Sequence, residues 1–220
     1  MRTVIFDLDG TLADTSGDLI AAANACFQRL GHGDLLDPLA DASTAFRGGR
    51  AMLRLGFKRI GIEDEALVDA EFQPFVDCYT QSIDRYTTIY PGAIDAVERL
   101  LADGYAVGIC TNKPEAQAEI LLDRLGVRGY FASLIAADTL PVRKPDPAPY
   151  RAAVERAGGV LEQSFLLGDT VTDRDTARAS GVPCALVTFG PDGSTVAELE
   201  PDALLDHFDQ LSKVTRGLIG

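Results

Sequence analysis

Apolar positions along this chain follow two alternating patterns. Short unbroken apolar runs occur in "RTVIFD" at the start, "AVGIC" (106–110), "ASLIAA" (132–137), "SFLLG" (164–168) and "PCALVTF" (183–189). An apolar run without polar alternation predicts a strand covered on both faces, as in a parallel sheet. Between the runs, apolar residues recur at helical spacing. "GAIDAVERLLADG" closes at Gly104, and "PEAQAEILLDRLG" has Pro114 near its first turn and Gly126 just past its last. Proline at the entry and glycine at the exit are helix start and stop signals. "DPAPYRAAVERAGG" and "DRDTARASG" read the same way. From about Ile89 onward strand and helix therefore alternate, which predicts a doubly wound, Rossmann-like α/β fold with a parallel sheet.

The stretch from Ser16 to Arg85 breaks this rhythm. "GDLIAAANACFQRLG", "GGRAMLRLGFKRIG" and "EDEALVDAEFQPFVDCYTQSI" carry helical periodicity with no strand between them. One helix suffices for a crossover between parallel strands. The excess predicts a small all-helical domain, 16–86, inserted after the first strand of an α/β core made of 1–15 and 87–220. Its expected hinges are the polar pieces at Asp14–Ser16 and Thr87–Tyr90.

Composition narrows the function. The hydrophobic content of 46% supports a packed core rather than disorder. A formal charge of −13 repels nucleic acid and anionic membranes, so neither is expected as a partner, and an anionic ligand would need a local positive site. Cys26, Cys78, Cys110 and Cys184 are scattered with no CxxC pair, which argues against disulfides and zinc. No apolar run approaches the ~20 residues of a membrane helix, and "MRTVIFDLDG" meets an aspartate too early for a signal peptide. A cytoplasmic location is expected; the oligomeric state is not legible.

Four polar clusters each follow a predicted strand: Asp7, Asp9 and Thr11; Thr111 and Asn112; Lys144; and Asp169 with Asp173. The carboxyl ends of parallel strands share one edge, where ligands bind, so these clusters are expected to converge. Asp7 and Asp9 point to one side if extended, and Asp169 and Asp173 share a face if a helix begins there. Converging carboxylates repel unless a cation joins them, and a hard divalent ion with oxygen ligands, Mg²⁺, answers that need. Lys144, the Thr111 hydroxyl and the open backbone at Gly10 add donors suited to a phosphoryl group.

In this order, the motifs "DLDGT" (7–11), "TN" (111–112), Lys144 in "RKPDP" and "GDTVTD" (168–173) resemble those of the haloacid dehalogenase superfamily of phosphohydrolases. The helical insert resembles the small cap domain of one branch. Within that branch "CTNKP", "RKPDPAPY", "GDTVTDRDTARASGVP" and "VTFG" look most like phosphoglycolate phosphatases. The resemblance implies that Asp7 attacks phosphorus to give an aspartyl-phosphate, and that Asp9 protonates the leaving alcohol and then activates water. It implies Mg²⁺ held by Asp7, Asp9 through its carbonyl, Asp169 and Asp173. Thr111, Asn112 and Lys144 would bind phosphoryl oxygens, with Gly10 and Thr11 beside them.

The presence of Asp9 sets the chain apart from dehalogenases, which need no acid there. Lys58, the single lysine of the insert, reads as a solvated helix residue and not as a Schiff-base lysine. For substrate choice the candidate stretch is "FRGGRAM" (46–52): Gly48 and Gly49 could open amides to a ligand, and Arg47 or Arg50 could meet a substrate carboxylate. The expected activity is hydrolysis of a small phosphorylated metabolite, 2-phosphoglycolate first. Alternatives are another phosphate ester, a nucleotide or pyrophosphate, a sugar phosphomutase, and a receiver-like phospho-acceptor domain. The insert and the Asp7–Asp9 pair argue against the last.

Overall fold

The computed structural model describes residues 1–220. In chain order the elements are β1 (Thr3–Phe6), β2 (Ala13–Asp14), α1 (Ser16–Arg29), α2 (Ala42–Ala45), α3 (Gly49–Arg59), α4 (Glu65–Gln81) and β3 (Thr88–Ile89). They continue with α5 (Ala93–Ala102), β4 (Ala106–Cys110), α6 (Glu115–Arg124), β5 (Ser133–Ile135), α7 (Pro147–Arg156), β6 (Ser164–Gly168), α8 (Val171–Ser180), β7 (Cys184–Val187), β8 (Ala203–Leu205) and α9 (Leu211–Ile219). Two compact units result, Met1–Ala13 with Ile89–Gly220, and Asp14–Thr88. The chain leaves the first through β2 and re-enters it through β3, and these two short strands pair.

The first unit is the expected α/β fold. Its six strands lie in the order β5-β4-β1-β6-β7-β8, and every recorded pairing is parallel. The unbroken apolar runs are explained by burial on both faces: Val4, Ile5, Phe6, Val107, Ile109, Phe165, Leu166, Leu167 and Leu186 are all fully buried. Helices α7 and α8 pack on one side, with Tyr150 and Val154 against Ile5, Ile135 and Leu166. The sheet grows from β1 through β4 to β5, then reverses and continues from β6 outward. The reversal point lies between β1 and β6, and in such sheets a crevice opens there beyond the strands' carboxyl ends.

Two core elements lie beyond what the apolar pattern predicts. Strand β8 is three residues long, and its Leu204 stays exposed at the sheet edge, so no apolar run announces it. Helix α9 is amphipathic, burying Leu211 and Thr215, but follows β8 without a turn signal.

The second unit is helical. Helix α1 packs on α4, and α3 packs on α4. Phe27 meets Phe57 edge-on with ring centroids 5.2 Å apart, and Gly56 lets α3 approach the Phe27 ring so closely that any Cβ would collide with it. Asp18 is buried, and its carboxylate accepts from the amides of Tyr86 and Thr87 and from the Thr87 hydroxyl. That carboxylate ties the start of α1 to the chain's exit from the unit. No helix of the structure is long and apolar enough to cross a membrane.

Candidate active site

The site is built by four loops at the carboxyl end of the sheet, those after β1, β4, β5 and β6. After β1, the amide of Asp7 still donates to the Leu167 carbonyl at 2.8 Å, so Asp7 is held in register with β6. The chain then turns on buried Leu8: the amides of Leu12 and Ala13 both donate to the Leu8 carbonyl. Gly10 takes φ +83°, a left-handed conformation that L side chains rarely adopt. A Cβ there would collide with the Asp169 carboxylate, so Gly10 lets the first loop close onto the loop after β6.

After β4, the Thr111 amide donates to Ile135, and the Thr111 hydroxyl accepts from the amide of Lys113 at 3.1 Å. The Asn112 side-chain amide donates to the Lys144 carbonyl at 3.0 Å, pinning the loop that carries Lys144. After β6, Thr170 and Asp173 form a capping box at the start of α8.

These loops bring four charged side chains into contact. Lys144, 3% exposed, places Nζ 3.1 Å from Asp7 Oδ1 and 2.7 Å from Asp173 Oδ1. Asp7 Oδ1 also accepts from the Leu8 amide at 2.7 Å. Asp169 Oδ1 accepts from the Thr11 hydroxyl at 2.9 Å, whereas Asp169 Oδ2 is buried with no hydrogen-bond partner. Carboxylate oxygens of Asp7, Asp169 and Asp173 lie within 4.8 Å of one another.

Electrostatics follow from this crowding. Burial pushes the Asp7 carboxyl up to about 6; Lys144 opposes the rise, and Asp173 and Asp9 add to it. Burial raises Asp169 well above the carboxylate range, with Asp173 and Asp7 adding to it. For Lys144 burial works against the charge, but Asp173 and Asp7 together outweigh it and hold the ammonium above the ordinary lysine range. One lysine thus compensates an acidic triad only in part. A buried, unpartnered carboxylate oxygen beside a second carboxylate is a donor set for a hard cation, so these residues fit a divalent metal.

Several expected roles change on this geometry. The Gly10 amide donates to the Ala13 carbonyl at 2.9 Å and is committed to the turn, not open to a phosphoryl oxygen. The Thr11 hydroxyl is spent on Asp169. Both oxygens of Asp173 are taken: Oδ1 by Lys144, and Oδ2 by the amides of Asp169 and Thr170 and the Thr170 hydroxyl. Asp173 thus orients Lys144 and the β6–α8 loop besides standing in the acidic cluster with Asp7 and Asp169. In the helical unit Gly48, at φ +94°, precedes α3 with its amide bonded to Ala45, and Gly49 packs against Phe75. Both glycines serve the local turn and packing. Arg50 pairs with Asp69 at 3.1 Å and lies 3.8 Å over the Phe72 ring, while Arg47 is exposed. Lys58 is exposed on α3.

One residue escaped the sequence reading. Lys113 is 6% exposed, and its Nζ lies 2.8 Å from Asp9 Oδ1. Its signal was its place, directly after "TN" on the same sheet edge.

The family model described as haloacid dehalogenase-like hydrolase matches residues 4–187. The chain belongs to this family. The haloacid dehalogenase-like match covers β1 through β7, and so all four motif clusters of the site. Among curated relatives, the phosphoglycolate phosphatase of Mesorhizobium japonicum is 38% identical over 212 residues, 95% of this chain and 92% of the relative. That of Agrobacterium fabrum is 36% identical, covering 94% and 89%. Solved structures agree in fold: a predicted phosphoglycolate phosphatase from Haemophilus somnus superposes with a TM-score of 0.86 at 24% identity, covering 98% of each chain. A Thermotoga maritima protein assigned as a β-phosphoglucomutase gives 0.77 at 22%, covering 99% and 100%. At these identities the structural likeness speaks for the fold alone.

The role found for Gly10 gives a direct test. Gly10→Ala must adopt a left-handed backbone and displace Asp169. A loss of about 1–3 kcal/mol in urea unfolding is expected, together with weakened binding of a divalent cation by titration calorimetry. Unchanged stability and affinity would show that the two loops need no close approach.

Proposed function

We propose that this chain is a Mg²⁺-dependent phosphomonoesterase that hydrolyses 2-phosphoglycolate to glycolate and phosphate through an aspartyl-phosphate. The observation that carries the reading is the state of Asp7. It is buried at the end of β1, and its Oδ1 is fixed by the Leu8 amide and the Lys144 ammonium. Its other oxygen carries no hydrogen bond and is free to attack. A carboxylate held in one orientation beside a fixed cation is pre-organised to meet a phosphate dianion.

Asp7 and Asp169, with the Asp9 carbonyl, are the groups that would hold Mg²⁺. The bound ion would supply positive charge against the phosphoryl oxygens and relieve the repulsion between the carboxylates. Lys144 sits against Asp7 with its ammonium kept charged by Asp173, so it offsets the repulsion between nucleophile and dianion. The Thr111 hydroxyl accepts from the Lys113 amide and keeps its own proton to donate to a phosphoryl oxygen. Asp9 would give a proton to the leaving alkoxide, then take one from the water that cleaves the aspartyl-phosphate. Attack by Asp7 forms one P–O bond as the ester P–O bond breaks. Hydrolysis then returns Asp7 and releases phosphate.

The choice of substrate rests on the relatives named phosphoglycolate phosphatase, 36–38% identical over at least 94% of this chain. Hydrolysis of another phosphate ester, a nucleotide or pyrophosphate uses the same core residues. A sugar phosphomutase is the second reading, since it would use the same nucleophile and metal-holding groups. Phosphate release from 2-phosphoglycolate, 4-nitrophenyl phosphate, nucleoside monophosphates, pyrophosphate and glucose 1-phosphate, each with Mg²⁺ or EDTA, decides among them. The highest kcat/KM is expected for 2-phosphoglycolate, with no turnover in EDTA. Full activity in EDTA would overturn the metal assignment, and a preference for another ester would overturn the substrate.

Within the helical unit we infer that Arg47, the exposed arginine of the FRGGRAM stretch without a carboxylate partner, contributes to the preference for a carboxylate-bearing substrate. Arg47→Ala is expected to raise KM for 2-phosphoglycolate about tenfold, the scale of one charged hydrogen bond. KM for 4-nitrophenyl phosphate, which has no carboxylate, should stay the same. Equal effects on both substrates would remove Arg47 from that role.

A further inference from the structure

We propose that Lys113 is a positioning residue: its buried ammonium fixes the Asp9 carboxylate in the orientation from which Asp9 exchanges protons with leaving group and water. This rests on the reading in which Asp9 is the proton-transfer group, and adds a residue that none of the four motif clusters contains.

Three observations carry it. The first is the ion pair itself, Nζ to Oδ1 at 2.8 Å, with the lysine side chain 3% exposed and the aspartate side chain 19% exposed. A lysine is rarely taken out of water to this extent without a partner that holds it there. The second is the anchoring of the lysine backbone. Its amide donates to the Thr111 hydroxyl, and its carbonyl accepts from the Ala137 amide at 3.0 Å. A short, pinned segment thus presents the ammonium from a fixed point, and the pairing restricts the rotamers of the partly exposed Asp9 side chain.

The third observation is the division of cations. Lys144 spends its ammonium on Asp7 and Asp173, and the lysine ion pair of Asp9 is with Lys113. Nucleophile and proton-transfer group stand two residues apart on one loop, yet each has its own buried lysine from a different strand end. Had one lysine bridged Asp7 and Asp9, moving either carboxylate would have disturbed the other. Separate anchors let Asp9 be oriented independently of attack by Asp7.

A double-mutant cycle tests this. Lys113→Met keeps the aliphatic stem and removes the ammonium. For 2-phosphoglycolate its kcat should fall roughly 10- to 100-fold, within the range attributed to general acid–base catalysis, with KM changed less than about twofold. In the Asp9→Asn background the same change should cost less than about twofold more, because the lysine acts through Asp9. Lys113→Arg should recover part of the loss. The first-turnover burst of 4-nitrophenolate should survive in Lys113→Met, since that leaving group departs without a proton. If Lys113→Met does not fold by circular dichroism, Lys113→Gln takes its place in the same cycle.

Equal losses in both backgrounds, a raised KM with unchanged kcat, or wild-type rates would each overturn the proposal. Its failure is distinguishable from failure of the underlying reading. If Asp9→Asn alone leaves kcat unchanged, Asp9 is not the proton-transfer group. If Asp9→Asn is crippled and Lys113→Met multiplies that loss, only the positioning role falls.

Discussion

Asp7→Asn is expected to lower kcat roughly 10⁴-fold or more, the scale seen when an enzyme loses its nucleophile, and to leave the fold intact. The amide keeps the shape of the carboxylate and keeps an oxygen for the Leu8 amide, which now donates to Asp7 Oδ1 at 2.7 Å. It withdraws the anion that must attack phosphorus. Lys144 would retain Asp173 at 2.7 Å, so its ammonium does not become an orphaned buried charge. Because burial already disfavours the ionised form of Asp7, the exchange should cost little stability in the metal-free protein. The measurement pairs rapid-quench detection of an acid-labile phosphoenzyme in the wild type with its absence in the variant, alongside superimposable circular dichroism. A variant that still turns over at a tenth of the wild-type rate would mean that another group attacks.

That prediction was within reach of the sequence; others were not. The strands of the core were legible because burial on both faces writes itself as unbroken apolar runs, as in "AVGIC" and "SFLLG". Helices α5 and α6 were legible from their terminal glycines and helical spacing. Strand β8 was not, because three residues at an exposed edge leave no pattern. Convergence of the four clusters followed from the one-sided carboxyl edge of a parallel sheet. The division of labour inside the site did not follow. Thr11 reaches Asp169 across 158 residues of chain, and Lys113 reaches Asp9 across 104. Such pairings depend on where side-chain ends fall in three dimensions, and local periodicity carries no record of that. Asp173, whose spacing from Asp169 suggested a metal ligand, does lie with Asp7 and Asp169 in the acidic cluster, but its further contacts, capping α8 and holding Lys144, were not legible.

The largest effect on stability is expected from the metal, and it should depend on pH. Asp7 is raised to about 6 and Asp169 is raised as well, both chiefly by burial. Groups raised in the folded state bind more protons there than when unfolded. Their contribution to stability is therefore complete below the ordinary carboxylate pKa of about 4, and is lost as pH rises through about 6. A divalent ion replaces those protons, so its stabilisation should be small at pH 5 and large at pH 7.5. Thermal unfolding with and without saturating Mg²⁺ at the two pH values measures this directly. Asp169→Asn supplies the decisive comparison. It removes the carboxylate whose Oδ2 has no partner and keeps an acceptor for the Thr11 hydroxyl. Metal-free, the variant should melt above the wild type at pH 7.5, and this advantage should shrink at pH 5. The same variant should show little rise in Tm with Mg²⁺ and should lose activity at least about 100-fold, on the scale of removing one stabilising group at a transition state. An Mg²⁺ effect that is equal at both pH values, or that persists in Asp169→Asn, would place the cation somewhere other than between Asp7 and Asp169.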